Sequence, residues 1–458
     1  MALNVRKDGL LSALLIVFII VIVSACSSGG SESQNREKED SSDGGERSVV
    51  LEYLAFAQPQ EQEIYEKLFE QFEADYPNVK IDATFLPPDD FWQQMQTRLG
   101  AGTQPDVFYV QPGNLDILID NNQIMDITDF ISETGIFNLD DIWESGINRY
   151  KRDGRIYALP KDVGPFAYGY NKNLFEEAGL DLPDPDQPMS WDEYIEIAQL
   201  LTIDANGNNA KSPQFDPNNI VQYGADFWWP EPAVWSAGAD WLNEDATKVT
   251  INTPEFKEAL QFMYDLRHKY HVVPSYEAAD AASGYVRWLE GTVAMFPIGP
   301  WDQAAFWELD FEYGLMPWPA HPKTMQSRTW LGSLGIAVGS NTEHPQEAFN
   351  LVAYLSVDEE TQRRAMEMGL QVPNLMSLAD EFVQLDHLPY NKHVWIDTIK
   401  EYGRPQPHER TYNPEWWDRY HETVDALWRG ELTVEEYVET YEPVLQELLD
   451  RAIEQSRR

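Results

Sequence analysis

Apolar positions near the start of the folded region follow two alternating periods. Positions 48–56 carry Val49, Val50 and Leu51, then Tyr53, Leu54 and Phe56, which predicts a buried first strand. Across 61–76, Ile64, Leu68, Phe72 and Tyr76 recur every four residues and share one helix face, and Pro77 ends the helix. Positions 79–86 alternate Val79, Ile81, Ala83 and Phe85 against Lys80, Asp82 and Thr84, a strand again. A helix at 89–99 and a short apolar strand at 106–110 complete an order of strand, helix, strand, helix, strand. That order predicts a parallel sheet with right-handed crossovers.

Further along, capping patterns mark the helices better than periodicity does. Ser190 to Glu193, Ser356 to Glu359 and Thr433 to Glu436 read as capping boxes, and Thr253-Pro254 sets a cap before a first-turn proline. These predict helices at 191–201, 254–270, 358–368 and 434–451, the last kinked by Pro443. A helix over 414–429 should stop at Gly430. No internal repeat of short period is visible.

The N-terminal region has a different pattern. Arg6 and Lys7 precede an apolar run, 10–23, that is too short to span a bilayer as a mature helix and suits a secretory signal. Val23-Ser24-Ala25-Cys26 matches the lipobox of bacterial lipoproteins, so cleavage after Ala25 would leave Cys26 to carry the lipid. Two acyl chains anchor stably where one does so marginally. The alternative is an ordinary signal peptide with an incidental cysteine, but Cys26 is the sole cysteine of the chain. Residues 1–25 are thus read as a lipoprotein signal and 26–47 as a flexible polar tether without aromatic residues.

The remainder, about 410 residues, fits two domains or one bilobed one. A formal charge of −44 argues against nucleic acid and anionic membrane surfaces, which select basic patches. Sixteen tryptophans leave aromatic surface for a ligand as well as a core.

The stretch Asp153-Gly154-Arg155-Ile156-Tyr157-Ala158-Leu159-Pro160, followed by Tyr168-Gly169-Tyr170-Asn171-Lys172-Asn173-Leu174-Phe175, resembles a signature of family-1 extracellular solute-binding proteins, the maltose-binding-like receptors of bacterial sugar ABC importers. Phe69 to Glu73 with Tyr76-Pro77, Gly100 to Val107, Glu290 to Met295 with Gly299-Pro300-Trp301, and Gly332 to Val338 resemble further segments in the same order. The resemblance implies an α/β, periplasmic-binding-protein-like fold, with two lobes, a hinge and an interlobe ligand cleft. Carried over, it places lobe I at 48–161 and 320–357, and lobe II at 162–319 and 358–458.

Sugars offer hydroxyls to carboxylates and amides, and C–H faces to aromatic rings. The densest mixture of such residues is Asp226-Phe227-Trp228-Trp229-Pro230-Glu231-Pro232. The resemblance puts Asp226 and Trp228 where the family has a carboxylate and a stacking ring, and matches Trp301 and Trp417 to two further stacking tryptophans. For each of these rings, core packing is the alternative. Trp330 precedes the return strand and can approach the cleft. Gln111 and Asn114 follow a parallel strand at its carboxyl end, where open α/β sheets bind ligands, with Gln58 a weaker candidate. Asp162 flanks Gly164, which stands where maltose binders carry a carboxylate. Gly113-Asn114 likewise replaces an Asp-Arg pair, so the ligand need not be maltose.

Asp204 to Asn209 looks like a calcium loop but lacks EF-hand spacing and a closing Glu, so an Asx-rich turn is expected. The eight histidines show no metal pattern, and no cofactor, metal or catalytic residue is expected. The reading is a non-enzymatic, monomeric substrate-binding subunit that hands a mono- or oligosaccharide to the transmembrane subunits of an ABC permease. It is anchored by lipid at the extracellular face of the cytoplasmic membrane. The alternatives are an exported glycoside hydrolase, since Trp-rich clefts with paired carboxylates also describe such enzymes, and a receptor for a non-sugar solute such as a polyamine. Cys26→Ala is expected to move the protein from the membrane fraction to the soluble one, and a variant that still sediments with membranes would refute the anchor.

Overall fold

The computed structural model describes residues 48–135, 138–226 and 229–457. The signal, Cys26, the tether and Trp228 lie outside them. The first part of the chain runs β1 (Val49–Phe56), α1 (Pro59–Asp75), β2 (Val79–Leu86), α2 (Pro88–Ala101) and β3 (Val107–Val110). It continues through β4 (Leu159–Pro160), β5 (Ala167–Asn171), α3 (Trp191–Leu201), α4 (Glu231–Ser236), α5 (Pro254–His268), β6 (Met295–Ile298) and β7 (Tyr313–Met316). After these come β8 (Thr329–Trp330), β9 (Gly335–Val338), α6 (Pro345–Val357), α7 (Glu359–Glu367), β10 (Gly403–Arg404), α8 (Glu415–Trp428) and α9 (Val434–Gln455).

The opening strands form the expected parallel core. β1 pairs in parallel with β2 from Val49 opposite Val79 to Phe56 opposite Leu86, and with β3 on its other side. The return strand β9 then joins antiparallel to β3, and β4 antiparallel to β9, for an order β2-β1-β3-β9-β4. β3 is buried at every position, as a central strand covered on both faces must be. α1 starts at Pro59, two residues before the predicted boundary, because Gln58 and Glu61 form its capping box. Gln58, a weaker ligand candidate, is thereby engaged as a cap.

The second sheet is a three-stranded antiparallel one, β6-β5-β7. Its two faces go to different cores through the strict two-residue alternation of a strand. Ala167, Phe296, Ile298, Tyr313 and Leu315 join the core that covers the first sheet. Tyr168, Tyr170, Met295 and Met316 join a second core built with α3, α5, α8 and α9. Residues just after 357 stay with the first sheet: Asn374 Nδ2 donates to the carbonyls of Pro160, Lys161 and Ser356, and Trp143 Nε1 to Pro373. The chain has reached the second sheet by Leu388, whose carbonyl accepts Trp307 Nε1, and Asn391 exchanges hydrogen bonds with Leu315. The segment therefore changes sheets between Leu375 and Leu388, later than the boundary at 357 and 358.

Capping at Ser190, Thr253 and Thr433 and the stop at Gly430 are as the sequence predicts. The box at Ser356 is not. α6 runs through that position, where buried Ser356 donates to the Pro160 carbonyl, and Asp358 caps α7 by accepting from Thr361 N. Asp204 folds as an Asx turn: its carboxylate accepts the amides of Asn206, Asn208 and Asp216. Although desolvation opposes them, these bonds hold its pKa at about 2.

Two buried positions give direct tests. Gly164 has φ +51°, its carbonyl accepts Gly332 N at 2.8 Å, and an added Cβ would lie 1.6 Å from the Gly332 oxygen. Gly164→Ala is therefore expected to cost at least about 2 kcal/mol in urea unfolding, from left-handed strain and clash together. Glu231, in the first turn of α4, is 1% exposed, and burial, only partly offset by its own backbone amide and the Gln406 side chain, pushes its pKa from 4.5 up to about 7. The folded form holds this proton to higher pH than the unfolded chain, so its contribution to stability is full below pH 4.5 and is lost as pH rises to about 7. Glu231→Gln should remove that slope and be more stable than wild type by about 3 kcal/mol above pH 7. Equal unfolding midpoints for the two proteins at pH 8.5 would contradict it.

Candidate functional site

A cavity of about 280 Å³ lies where the two cores meet. Its first-core side comes from the carboxyl end of the parallel sheet, with Phe56 after β1, and Tyr109 and Gln111 at the end of β3. Its floor is the first crossing between sheets, Lys161-Asp162, with Glu61 from the capped start of α1. Its far wall is aromatic, Trp301 and Trp330, and its remaining side is the segment from Gln406 to Glu409 together with Arg149.

The floor is an ion triad. Lys161 Nζ lies 2.9 Å from Glu61 Oε1 and 3.1 Å from Asp162 Oδ2, with all three side chains nearly inaccessible. Burial disfavours the ammonium, yet Asp162 and then Glu61 hold its pKa well above the ordinary lysine value. Next to Trp301, half-buried Asp302 is pushed up to about 8 by desolvation and then by the negative charge of Glu61. A second ion pair closes the side: Arg149 grips Glu409 with two donors, Nε to Oε2 at 2.7 Å and Nη2 to Oε1, and gives a third to the Leu331 carbonyl at 2.8 Å. Glu409 Oε1 also accepts Gln406 N at 3.0 Å, so the same carboxylate shapes the segment that bears His408.

His408 sits flat against Gly113. A Cβ added there would lie 2.3 Å from its Cδ2, so a larger residue would force the ring to move. Desolvation pushes its pKa down to about 4, with Arg149 adding to the effect against Glu409, and the ring is neutral at physiological pH. Its Nδ1 and the Trp330 Nε1 are buried without a hydrogen-bond partner, and both residues line the cavity. Buried polar groups are normally paired. Two unpaired ones lining the same cavity are groups that a polar ligand would satisfy.

The aromatic wall is centred on Phe166, whose ring lies 4.8 Å from Trp301, 4.7 Å from Trp330 and 4.3 Å from Trp229. Trp301 and Trp330 are half-buried, which leaves ring surface to stack against a ligand.

Of the residues singled out in the sequence, Gln111, Asp162, Trp301 and Trp330 come together in this cavity. Asn114 does not line it; its amide donates to the Gln111 carbonyl and closes the turn after β3. Trp417 stands one layer back, buried and stacked on Tyr420 and on His408 at 5.7 Å. The core alternative describes its position, and it supports a lining residue. Asp226 is half-buried, and its carboxylate closes on Gly284, where an added Cβ would lie 2.2 Å from Oδ2. Trp229 is the described ring of the Trp228-Trp229 pair that joins the aromatic wall. Outside the cavity, Asp186, His393 and Asp397 bring ligand-type atoms within 4.8 Å of one another, with Asp186 exposed.

Sequence reasoning missed Glu61, Lys161, Arg149, His408 and Glu409. Gln406-Pro407-His408-Glu409 does carry a capping-box pattern, and the structure shows that box formed. Its register would have pointed to an ordered turn, but nothing local announces which lobe that turn faces.

The chain matches the family model of bacterial extracellular solute-binding proteins over residues 57–362. Among curated relatives, an arabinooligosaccharide-binding protein of Halalkalibacterium halodurans is 23% identical over 312 residues, 66% of each chain, which is just under two thirds of that protein's length. Among solved structures, an ABC substrate-binding protein of Listeria monocytogenes in complex with cycloalternan superposes with a TM-score of 0.77 at 20% identity, covering 88% of this chain and 99% of that one. A solute-binding protein of Thermotoga lettingae bound with α-D-tagatose gives 0.75 at 21% identity, over 88% and 100%. At such identities these structures speak for the fold, which is periplasmic-binding-protein-like. The family match spans well over half of the chain, and the chain belongs to the bacterial extracellular solute-binding proteins.

Proposed function

We propose that the protein is the substrate-binding subunit of an ABC importer and captures a carbohydrate in the cavity between its two cores. The observation that carries this reading is the pairing of two half-exposed tryptophans, Trp301 and Trp330, with a polar floor and two unsatisfied polar groups in one interlobe cavity. Rings take the C–H faces of a sugar and the polar groups take its hydroxyls. A relative named for arabinooligosaccharide and folds seen with cycloalternan and tagatose support the same ligand class.

In this proposal the chain is exported, lipidated at Cys26 and held as a monomer outside the cytoplasmic membrane, from which it presents its cargo to the permease. Among the described residues no helix is long and apolar enough to cross a membrane. The receptor reading is favoured over a hydrolase because the cavity carboxylates Glu61 and Asp162 are both committed to Lys161, and Glu409 to Arg149, which leaves no free acid and base pair among them.

Thermal unfolding against a panel of mono- and oligosaccharides, with spermidine alongside and each sugar checked for cleavage, tests the proposal. A ligand at a hundred times its dissociation constant adds about 2.7 kcal/mol of stability. One class of intact sugar should raise the midpoint, and Trp301→Ala and Trp330→Ala should each weaken its binding by about 1 to 3 kcal/mol in titration calorimetry. Cleaved sugar would replace the receptor by a hydrolase, a response to spermidine alone would replace the sugar, and unchanged affinity in both variants would overturn the site.

A further inference from the structure

Behind the ribbon that carries Trp330 lies a second, separate groove of about 850 Å³. In the two-stranded parallel pair β8 and β10, Trp330 stands opposite Arg404 in register. Trp330 lines the cavity, whereas Arg404 lines the groove with Arg328 and Arg410. The chain has 77 acidic residues and 33 basic ones, so three guanidiniums meeting here should each find a carboxylate. They do not.

Asp240 is shared, at 3.0 Å from Arg404 Nη2 and 3.5 Å from Arg410 Nη1. Arg410 spends its Nη2 on the carbonyls of Asn243 and Glu244. Among the described residues Arg328 donates only to neutral oxygens, the Ser327 carbonyl at 2.9 Å and Gln326 Oε1 at 3.0 Å. Glu244 and Glu401 border the groove, but among the described residues neither makes an ion pair with an arginine. The Arg404 guanidinium carbon lies over the Trp235 ring, 4.8 Å from its centroid, and among the described residues Nη2 alone is hydrogen-bonded, to Asp240, which leaves Nε and Nη1 without a partner there. Burial first, then the neighbouring charges of Arg328 and Arg410, push its pKa below the ordinary arginine value against the pull of Asp240. Three guanidiniums and three carboxylates thus line the groove, but among the described residues only Asp240 is paired with an arginine there, and one fork packs against an aromatic ring. Planar forks of this kind recognise carboxylate and phosphate oxygens in bidentate fashion.

We propose that this groove is a second ligand site, which binds a small anion bearing a carboxylate or phosphate group between Arg328 and Arg404. It is independent of the sugar cavity and of the reading given to that cavity.

The test is titration calorimetry with inorganic phosphate and with citrate, at constant ionic strength, on protein starting at Gly45, since Arg47–Arg458 forms one compact unit. Saturable binding of either anion is expected, with phosphate and citrate arms showing which group is preferred. Arg328→Gln removes only neutral contacts, so it should fold as wild type and bind at least tenfold more weakly. Arg328→Lys, which keeps the charge and loses the fork, should fall between the two. Arg363→Gln, at a surface ion pair on α7, should bind as wild type. No saturable binding of phosphate or citrate at 10 mM, on the order expected for a weak anion site, overturns the proposal, as does equal affinity in wild type and Arg328→Gln.

Discussion

The buried ammonium of Lys161 is the contact on which the floor of the cavity depends. It joins the first turn of α1, through Glu61, to the first crossing between sheets, through Asp162. Asp162 in turn accepts Leu334 N at 3.2 Å just before β9, and Lys161 N donates to the Leu334 carbonyl at 2.7 Å. Three segments far apart in sequence therefore meet at one point. Taking these charges out of water costs several kcal/mol per ion, and removal of one partner from such a group typically costs 3 to 5, about what an uncompensated buried charge demands. A well-packed apolar trio would hold the same segments at lower cost. What the ions add is register: only one placement of α1 against the crossing lets all three pair, and that placement forms the cavity floor.

The second constraint is that the cores share a sheet. Because β5, β6 and β7 send alternate side chains to opposite faces, Ile298 and Leu315 pack toward one core while Met295 and Met316 pack toward the other. A one-residue slip would exchange those sets and empty both cores at once. The sheet is thus fixed from two sides, and Trp301, which follows β6 by a short turn, inherits that rigidity. Phe166, just before β5, stands at the centre of the rings and transmits the same restraint to Trp330 and Trp229.

Local elements were legible in the sequence where the signal is local. Alternation and four-residue spacing located β1, α1, β2 and α2, and Thr433 with Glu436 located the start of α9, because caps and amphipathic faces are written within a few residues. The Ser356 box failed for a related reason. Its pattern is as good as the others, but the serine hydroxyl is taken by Pro160, a partner nearly two hundred positions away in sequence. The same holds for the site. Trp301, Trp330, Gln111 and Asp162, which line the cavity, are marked in the sequence by motif, strand end or crossing. Arg149 and Glu409 were not, since their pairing bridges |i−j| = 260 and neither residue stands in an unusual local pattern. Trp417 shows the converse: an aromatic ring at a matching place was held by the core, with its effect reaching the cavity only through His408.

The energetics of the proposed receptor are consistent with this division between rigid floor and aromatic wall. Moving a two-state equilibrium from about one part in a hundred closed to the reverse needs roughly 5.5 kcal/mol of differential binding. Stacking on two tryptophans gives about 0.5 to 1.5 kcal/mol each beyond area burial, and hydrogen bonds to charged groups about 1.5 to 3 each. Two rings and two such bonds amount to about 4 to 9 kcal/mol, of which only the contacts added when the second side of the cavity meets the ligand count toward closure. In the proposed receptor these contacts are divided between two sides, because the charged groups Glu61, Lys161 and Asp162 belong to the floor of the first core and its crossing, while Trp301 extends from the sheet shared with the second. A sugar that touches only one side gains one term and leaves the equilibrium where it was. Selectivity then rests on length and hydroxyl placement across the gap rather than on the strength of any single contact.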